Sequence, residues 1–159
     1  MRKLSPLPGS CGFTLIELLI VIALIGILLA IGVPNYQEYI LRSKLTDASS
    51  SLSQLRVTLE QYFQDNRSYD ANPAAVTGNC HQNVIDVMNR LNSRYFTYAC
   101  TADNAGQTFV ITATGVAAGG TESFTYTIDQ ANNRRTTSLP AGRGNTPANC
   151  WLTAKGQTC

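Results

Sequence analysis

The sequence predicts an α+β fold: one long N-terminal α-helix, apolar in its first half and amphipathic in its second, packed on a three- or four-stranded antiparallel β-sheet. Three observations lead there. From Leu18 to Val33 there is no polar side chain. From Tyr36 to Phe63 apolar residues recur mostly at three- and four-residue spacing, as on a helix with one face against a partner. Beyond Tyr95, short β-branched and aromatic runs alternate with Gly, Asn and Asp turn signals.

The apolar run comes first. With Phe13–Glu17 included, it is about as long as the ~20 residues a helix needs to cross a bilayer core. Arg2 and Lys3 precede it and place the N-terminus on the cytoplasmic side. Glu17 breaks the pattern, because a carboxylate in an apolar segment is costly and calls for a partner. A cut between Gly12 and Phe13 would create an amine one helical turn from Glu17, on the same helix face. That amine would equally serve the Glu17 of a neighbouring chain. At an effective dielectric of 20, two such charges at ~4 Å attract by about 4 kcal/mol before desolvation. Such a pairing would help set the axial register of chains packed side by side.

The stretch Gly12-Phe13-Thr14-Leu15-Ile16-Glu17, followed by the apolar run and Pro34, resembles the start of a type IV pilin, either a type IVa pilin or a minor pilin. The resemblance is specific over roughly residues 9–45. It implies a pilin fold, a prepilin leader of class III, cleavage after Gly12 by a prepilin peptidase and N-methylation of Phe13. It also implies a role for Glu17 in adding subunits to a filament. Residues 1–12 would then be leader, 13–34 the transmembrane and filament-core helix, and 35–159 the globular head with the amphipathic half of the helix. Implied partners are other pilin subunits, the peptidase, an inner-membrane assembly platform, and DNA or a host surface. Before assembly the chain would lie in the bacterial inner membrane as a single-pass protein, and afterwards in an extracellular pilus serving adhesion and twitching motility. Two rival roles share the same start: a DNA-binding minor pilin acting in uptake, and a type II secretion pseudopilin.

Composition fits an exported head on an anchor. Lys and Arg number 12 and Asp and Glu 10, so removal of the leader with Arg2 and Lys3 leaves 10 of each. A globally basic nucleic-acid binder is not indicated. Cys11 falls in the leader, and Cys80, Cys100, Cys150 and Cys159 remain, an even set suited to disulfides outside the cytoplasm. Four cysteines allow three pairings. The local ones, Cys80–Cys100 and Cys150–Cys159, are preferred because each staples a turn-rich segment. In the resembling family a C-terminal disulfide-bounded loop packs on the sheet, a place that Cys150 and Cys159 would fill. No metal or cofactor is expected, since the spacings contain no C-x-x-C pair and His81 is the only histidine. A cleavable secretory signal has a shorter apolar core ending in its cut site. A lipoprotein signal would need Cys11 after the apolar run, not before it.

Along the chain, one helix is expected from Phe13 to about Gln64, kinked or loosened near Gly32 and Pro34 and roughly 75–80 Å long. Its apolar face past Pro34 carries Tyr36, Tyr39, Ile40, Ala48, Leu52, Leu55, Leu59, Tyr62 and Phe63. A connecting region, 66–94, holds a short helix over Val84–Leu91. Strands follow at Tyr95–Thr101, Thr108–Val116 and Ser123–Ile128, with turns at Asp103–Gly106 and Gly119–Gly120. Arg134–Leu139 is expected as an edge strand whose arginines discourage edge pairing.

No catalytic constellation is present: there is no phosphate-cradling G-x-x-x-x-G-K-[ST], no H-E-x-x-H and no EF-hand loop. The chain reads as the substrate of an enzyme at Gly12–Phe13, not as an enzyme. The one charge asymmetry is basic. From Gln130 to Cys159 stand Arg134, Arg135, Arg143 and Lys155 without an acid, a set suited to contacting DNA phosphates.

Overall fold

The computed structural model describes residues 13–70, 77–92, 94–103 and 105–159. The predicted leader 1–12, with Gly12 and Cys11, lies outside them. Helix α1 runs Leu15–Asn66, and Pro34 lies inside it. The chain divides into two compact units, Met1–Tyr39 and Ile40–Cys159.

The described part of the first unit is helix alone. Thr14 precedes the first turn, and its Oγ1 accepts the Glu17 backbone N–H at 3.3 Å. This satisfies one of the donors a helix leaves unpaired at its start, and Thr14-Leu-Ile-Glu17 has the T-x-x-E spacing of a capping box. Every side chain from Phe13 to Gln37 is exposed in the monomer.

The second unit is built on a five-stranded antiparallel meander in the order β1-β2-β3-β4-β5. The strands are β1 (Thr77–Asn79), β2 (Phe96–Asp103), β3 (Thr108–Gly115), β4 (Thr125–Asp129) and β5 (Arg134–Ser138). A second helix, α2 (Gln82–Leu91), joins β1 to β2. Four strands match the predicted ones. The fifth, β1, was not foreseen, because Thr-Gly-Asn carries no alternating pattern and pairs only with the end of β2.

The core forms where α1 meets the sheet. Leu45, Ala48, Leu52, Leu55 and Leu59 are fully buried, at the three- and four-residue spacing that makes one helix stripe. Against them lie the inward-facing residues of alternating strands: Phe96, Tyr98, Cys100 and Ala102 from β2, Phe109, Ile111 and Ala113 from β3, and Tyr126 and Ile128 from β4. Tyr36 and Tyr39, expected on the buried face, are instead 66% and 70% exposed. The helical period names a face but not where the covering surface begins.

Cys80 and Cys100 are bonded across 20 residues of chain, and Cys150 and Cys159 across 9. The first disulfide is buried and ties the segment just before α2 to the middle of β2. The end of α1 is fixed by the β2–β3 turn, where the Tyr69 N–H donates to Gly106 O at 2.8 Å. Gly106 has φ +76°, and a side chain there would strike the Ser68 hydroxyl, so the turn requires glycine.

Candidate functional sites

Two surfaces stand apart from this core. The first is the start of α1. Phe13 is 82% exposed, and Leu15, Ile16, Leu18, Leu19, Ile20, Val21 and Ile22 follow it, all exposed. By length and composition α1 contains one candidate membrane span. Burying each large side chain of this kind from water is worth about 1.5–3 kcal/mol, and the monomer leaves all of that unrealised. Glu17 is the one acid among these residues.

The second surface is at β5, the sheet edge opposite β1. The β4–β5 turn is anchored from below. Arg56 Nη2 on α1 donates to Gln130 O at 3.2 Å, and the Phe109 N–H donates to Gln130 Oε1 at 3.3 Å. Asn132 closes the turn with φ +61°. The Asp129 carboxylate is taken up locally: Oδ1 accepts the Asn133 N–H at 2.9 Å and Oδ2 accepts Asn133 Nδ2 at 2.8 Å. Arg134 and Arg135 then emerge, both exposed. With Asp129, Asn133 and Asn149 they line a surface notch of about 320 Å³.

Thr136 seats the C-terminal loop beside them. It is fully buried, and four hydrogen bonds converge on it. Its N–H donates to Ala148 O at 2.9 Å and its carbonyl accepts the Ala148 N–H at 3.0 Å. Its Oγ1 donates to Cys150 O at 2.7 Å and accepts the Leu152 N–H at 3.0 Å. The Tyr126 hydroxyl adds a buried bond to Leu152 O at 2.6 Å. Burial holds that hydroxyl's pKa well above the ordinary tyrosine value.

Trp151 is thereby pinned on both sides. Its Nε1 donates to Thr127 O at 3.0 Å, and the Arg134 guanidinium lies over its ring, 4.9 Å from the centroid. Arg143 lies over Phe124 at 5.4 Å, and its carbonyl accepts the Gly156 N–H at 2.9 Å, which brings Lys155 into the same loop region. A shallow pocket of about 500 Å³ within the loop is lined by Gly144, Asn149, Gly156 and Cys159 among others. Asn149 borders both it and the arginine notch.

The four predicted basic residues thus fall on β5 and the loop packed against it, as two neighbouring groups. Sequence reasoning named the charges but missed the parts that hold them: Trp151 beneath Arg134, and Thr136 beneath Trp151. In β5 only Thr136 is buried, between exposed neighbours, and Arg-Arg-Thr-Thr-Ser carries no apolar period that would mark it. His81, the only histidine, caps α2: its Nδ1 accepts the Asn83 N–H at 3.2 Å, and its ring stacks on Tyr62 at 4.3 Å.

Residues 34–136 match the family model described as type IV minor pilin ComP, DNA uptake sequence receptor. Residues 7–33 match the prokaryotic N-terminal methylation motif. The type IV major fimbrial protein FimA of Dichelobacter nodosus is 35% identical over 119 residues, covering 75% of this chain and 71% of that protein. The fimbrial protein EcpC of Eikenella corrodens is 38% identical over 112 residues, 68% of this chain and 67% of that protein. Among solved structures, a type IV pilin from Shewanella oneidensis aligns with a TM-score of 0.43 at 19% identity, over 64% of this chain and 92% of that chain.

Proposed function

The chain belongs to the type IV pilin family, and from that premise we propose that it is a filament subunit of the minor-pilin kind whose head captures DNA for uptake. Its role as a pilus subunit follows from the family, whose members assemble with other pilins through the N-terminal helix. The finer reading assigns the steps. Prepilin peptidase cuts between Gly12 and Phe13, Phe13 is methylated, and the single-pass precursor waits in the inner membrane with its N-terminus cytoplasmic. The assembly platform then moves it into the filament. Transfer from lipid to a filament core gains little hydrophobic energy, because lipid tails are as apolar as the helix, so packing and polar pairs must direct assembly. Glu17 supplies the polar pair by meeting the new Phe13 amine of its own or a neighbouring chain.

One observation carries the DNA reading. The head matches a DNA-receptor family model over residues 34–136, and that span ends on the strand bearing Arg134 and Arg135. No acid follows Asp129. The same match supports a pilus role over a secretion pseudopilin.

The test is binding of the full chain, in neutral detergent, to a short fluorescent DNA duplex over a series of salt concentrations. Affinity is expected to fall steeply with salt. Arg134→Ala with Arg135→Ala should make the log–log slope shallower by about two, one for each phosphate that is no longer neutralised. Wild-type affinity and slope in that double variant would overturn the DNA reading.

A further inference from the structure

We infer that Trp151 is a positioning residue that presents the Arg134 guanidinium to a DNA phosphate. The inference rests on the DNA-receptor reading above and goes beyond it. The match to the receptor model ends at residue 136, so the loop lies outside what that match covers.

The geometry supplies the reason. An exposed arginine samples many rotamers, and binding a phosphate through it means freezing them. Arg134 is exposed, yet its guanidinium already lies on the Trp151 ring at 4.9 Å. A cation–π contact of this kind confines the guanidinium while its N–H donors can still reach a phosphate. Those donors form the fork that matches two phosphate oxygens.

The indole is fixed in turn. Its Nε1 is bonded to Thr127 O at 3.0 Å, and Thr136 Oγ1 holds the flanking Cys150 carbonyl and Leu152 N–H. The disulfide to Cys159 closes the loop around it. Asp129 also borders the notch, and both of its carboxylate oxygens are held on the turn by Asn133. Arg135 and Asn149 line the same notch and extend a donor surface beside Arg134.

A positioning residue and a phosphate-binding charge separate in a salt series. Removing the charge lowers affinity and flattens the slope. Removing only the support lowers affinity and leaves the slope alone. In the duplex assay with the full chain, Trp151→Ala is expected to weaken binding about two- to fivefold, the size of an exposed cation–π interaction, with an unchanged slope. Trp151→Phe should recover part of that loss.

Arg134→Lys keeps the charge and does not touch the loop's own bonds. It should show a similar loss with an unchanged slope, so the inference does not depend on Trp151→Ala folding normally. Trp151 is the only tryptophan in the chain, so its emission should shift on titration with duplex and shift less in Arg134→Lys. Wild-type affinity in both Trp151→Ala and Arg134→Lys would overturn the inference while leaving the DNA reading intact, provided Arg134→Ala with Arg135→Ala is defective. If that double variant also binds normally, the DNA reading fails and the inference goes with it. A flattened slope in Trp151→Ala, matching the double arginine variant, would likewise overturn the positioning role.

Discussion

The two ends of helix α1 are both rich in leucine, yet they meet opposite fates. Between Leu45 and Leu59 every apolar residue except Val57 is buried against the protein's own sheet and turns. Between Phe13 and Val33 none is buried. The first stretch alternates apolar with polar residues on a helical period, so one face suffices and the chain provides its cover. The second is apolar all round, and no single surface of a small head would satisfy it. A helix of that kind belongs in lipid or among copies of itself. The stability of the head and the capacity to assemble are thus written into different stretches of one helix.

That separation is tested most forcefully by matched leucine truncations. Leu55→Ala should destabilise the head by about 2–5 kcal/mol, the usual cost of emptying a fully buried leucine site. The same change at Leu24, which is 56% exposed, should leave the head's denaturation midpoint unmoved. Chemical unfolding followed by near-ultraviolet circular dichroism on the full chain in detergent reads both. Equal losses at the two sites would erase the distinction.

A smaller effect bears on the buried half alone. The Tyr69 pKa is pushed up to about 12, first by burial and then by the Glu60 carboxylate, which accepts a hydrogen bond from its hydroxyl at 3.2 Å. Burial also raises Tyr98 and Tyr126. Below about pH 10 these hydroxyls are neutral in both folded and unfolded chains, so their contribution is fully present. Between about 10 and 12 the unfolded chain releases protons that the folded head retains, and stability must fall as pH rises. Urea midpoints taken from pH 8 to 12 should be flat at first and then decline, and the decline should be reduced in Tyr69→Phe. A midpoint independent of pH through 12 would contradict the burial of these groups.

Much of this was legible in the residues. The long helix, four strands and their meander order follow from period and turn chemistry, which are local signals. Strand β1 was not legible, because three residues without alternation acquire their role only from the β2 edge beside them. The exposure of Tyr36 and Tyr39 escapes the sequence for a related reason: periodicity is a property of the helix alone, whereas burial depends on what covers it. At the candidate DNA face the charges were visible as a run without acids. The support beneath Arg134 was not, since it depends on Thr136 bonding residues 12 to 16 positions away. Only the fold brings those groups together.

If the exposed half of α1 is made for a filament, the intact mass and N-terminal sequence of material sheared from cells will show it, alongside a strain carrying Glu17→Ala. Sheared filaments of the wild type should contain a chain starting at methylated Phe13, with both disulfides formed. In the variant the chain should be cut in the same way but remain in the membrane. An uncut chain in the wild type, or normal filaments from the variant, would contradict a filament role for this helix.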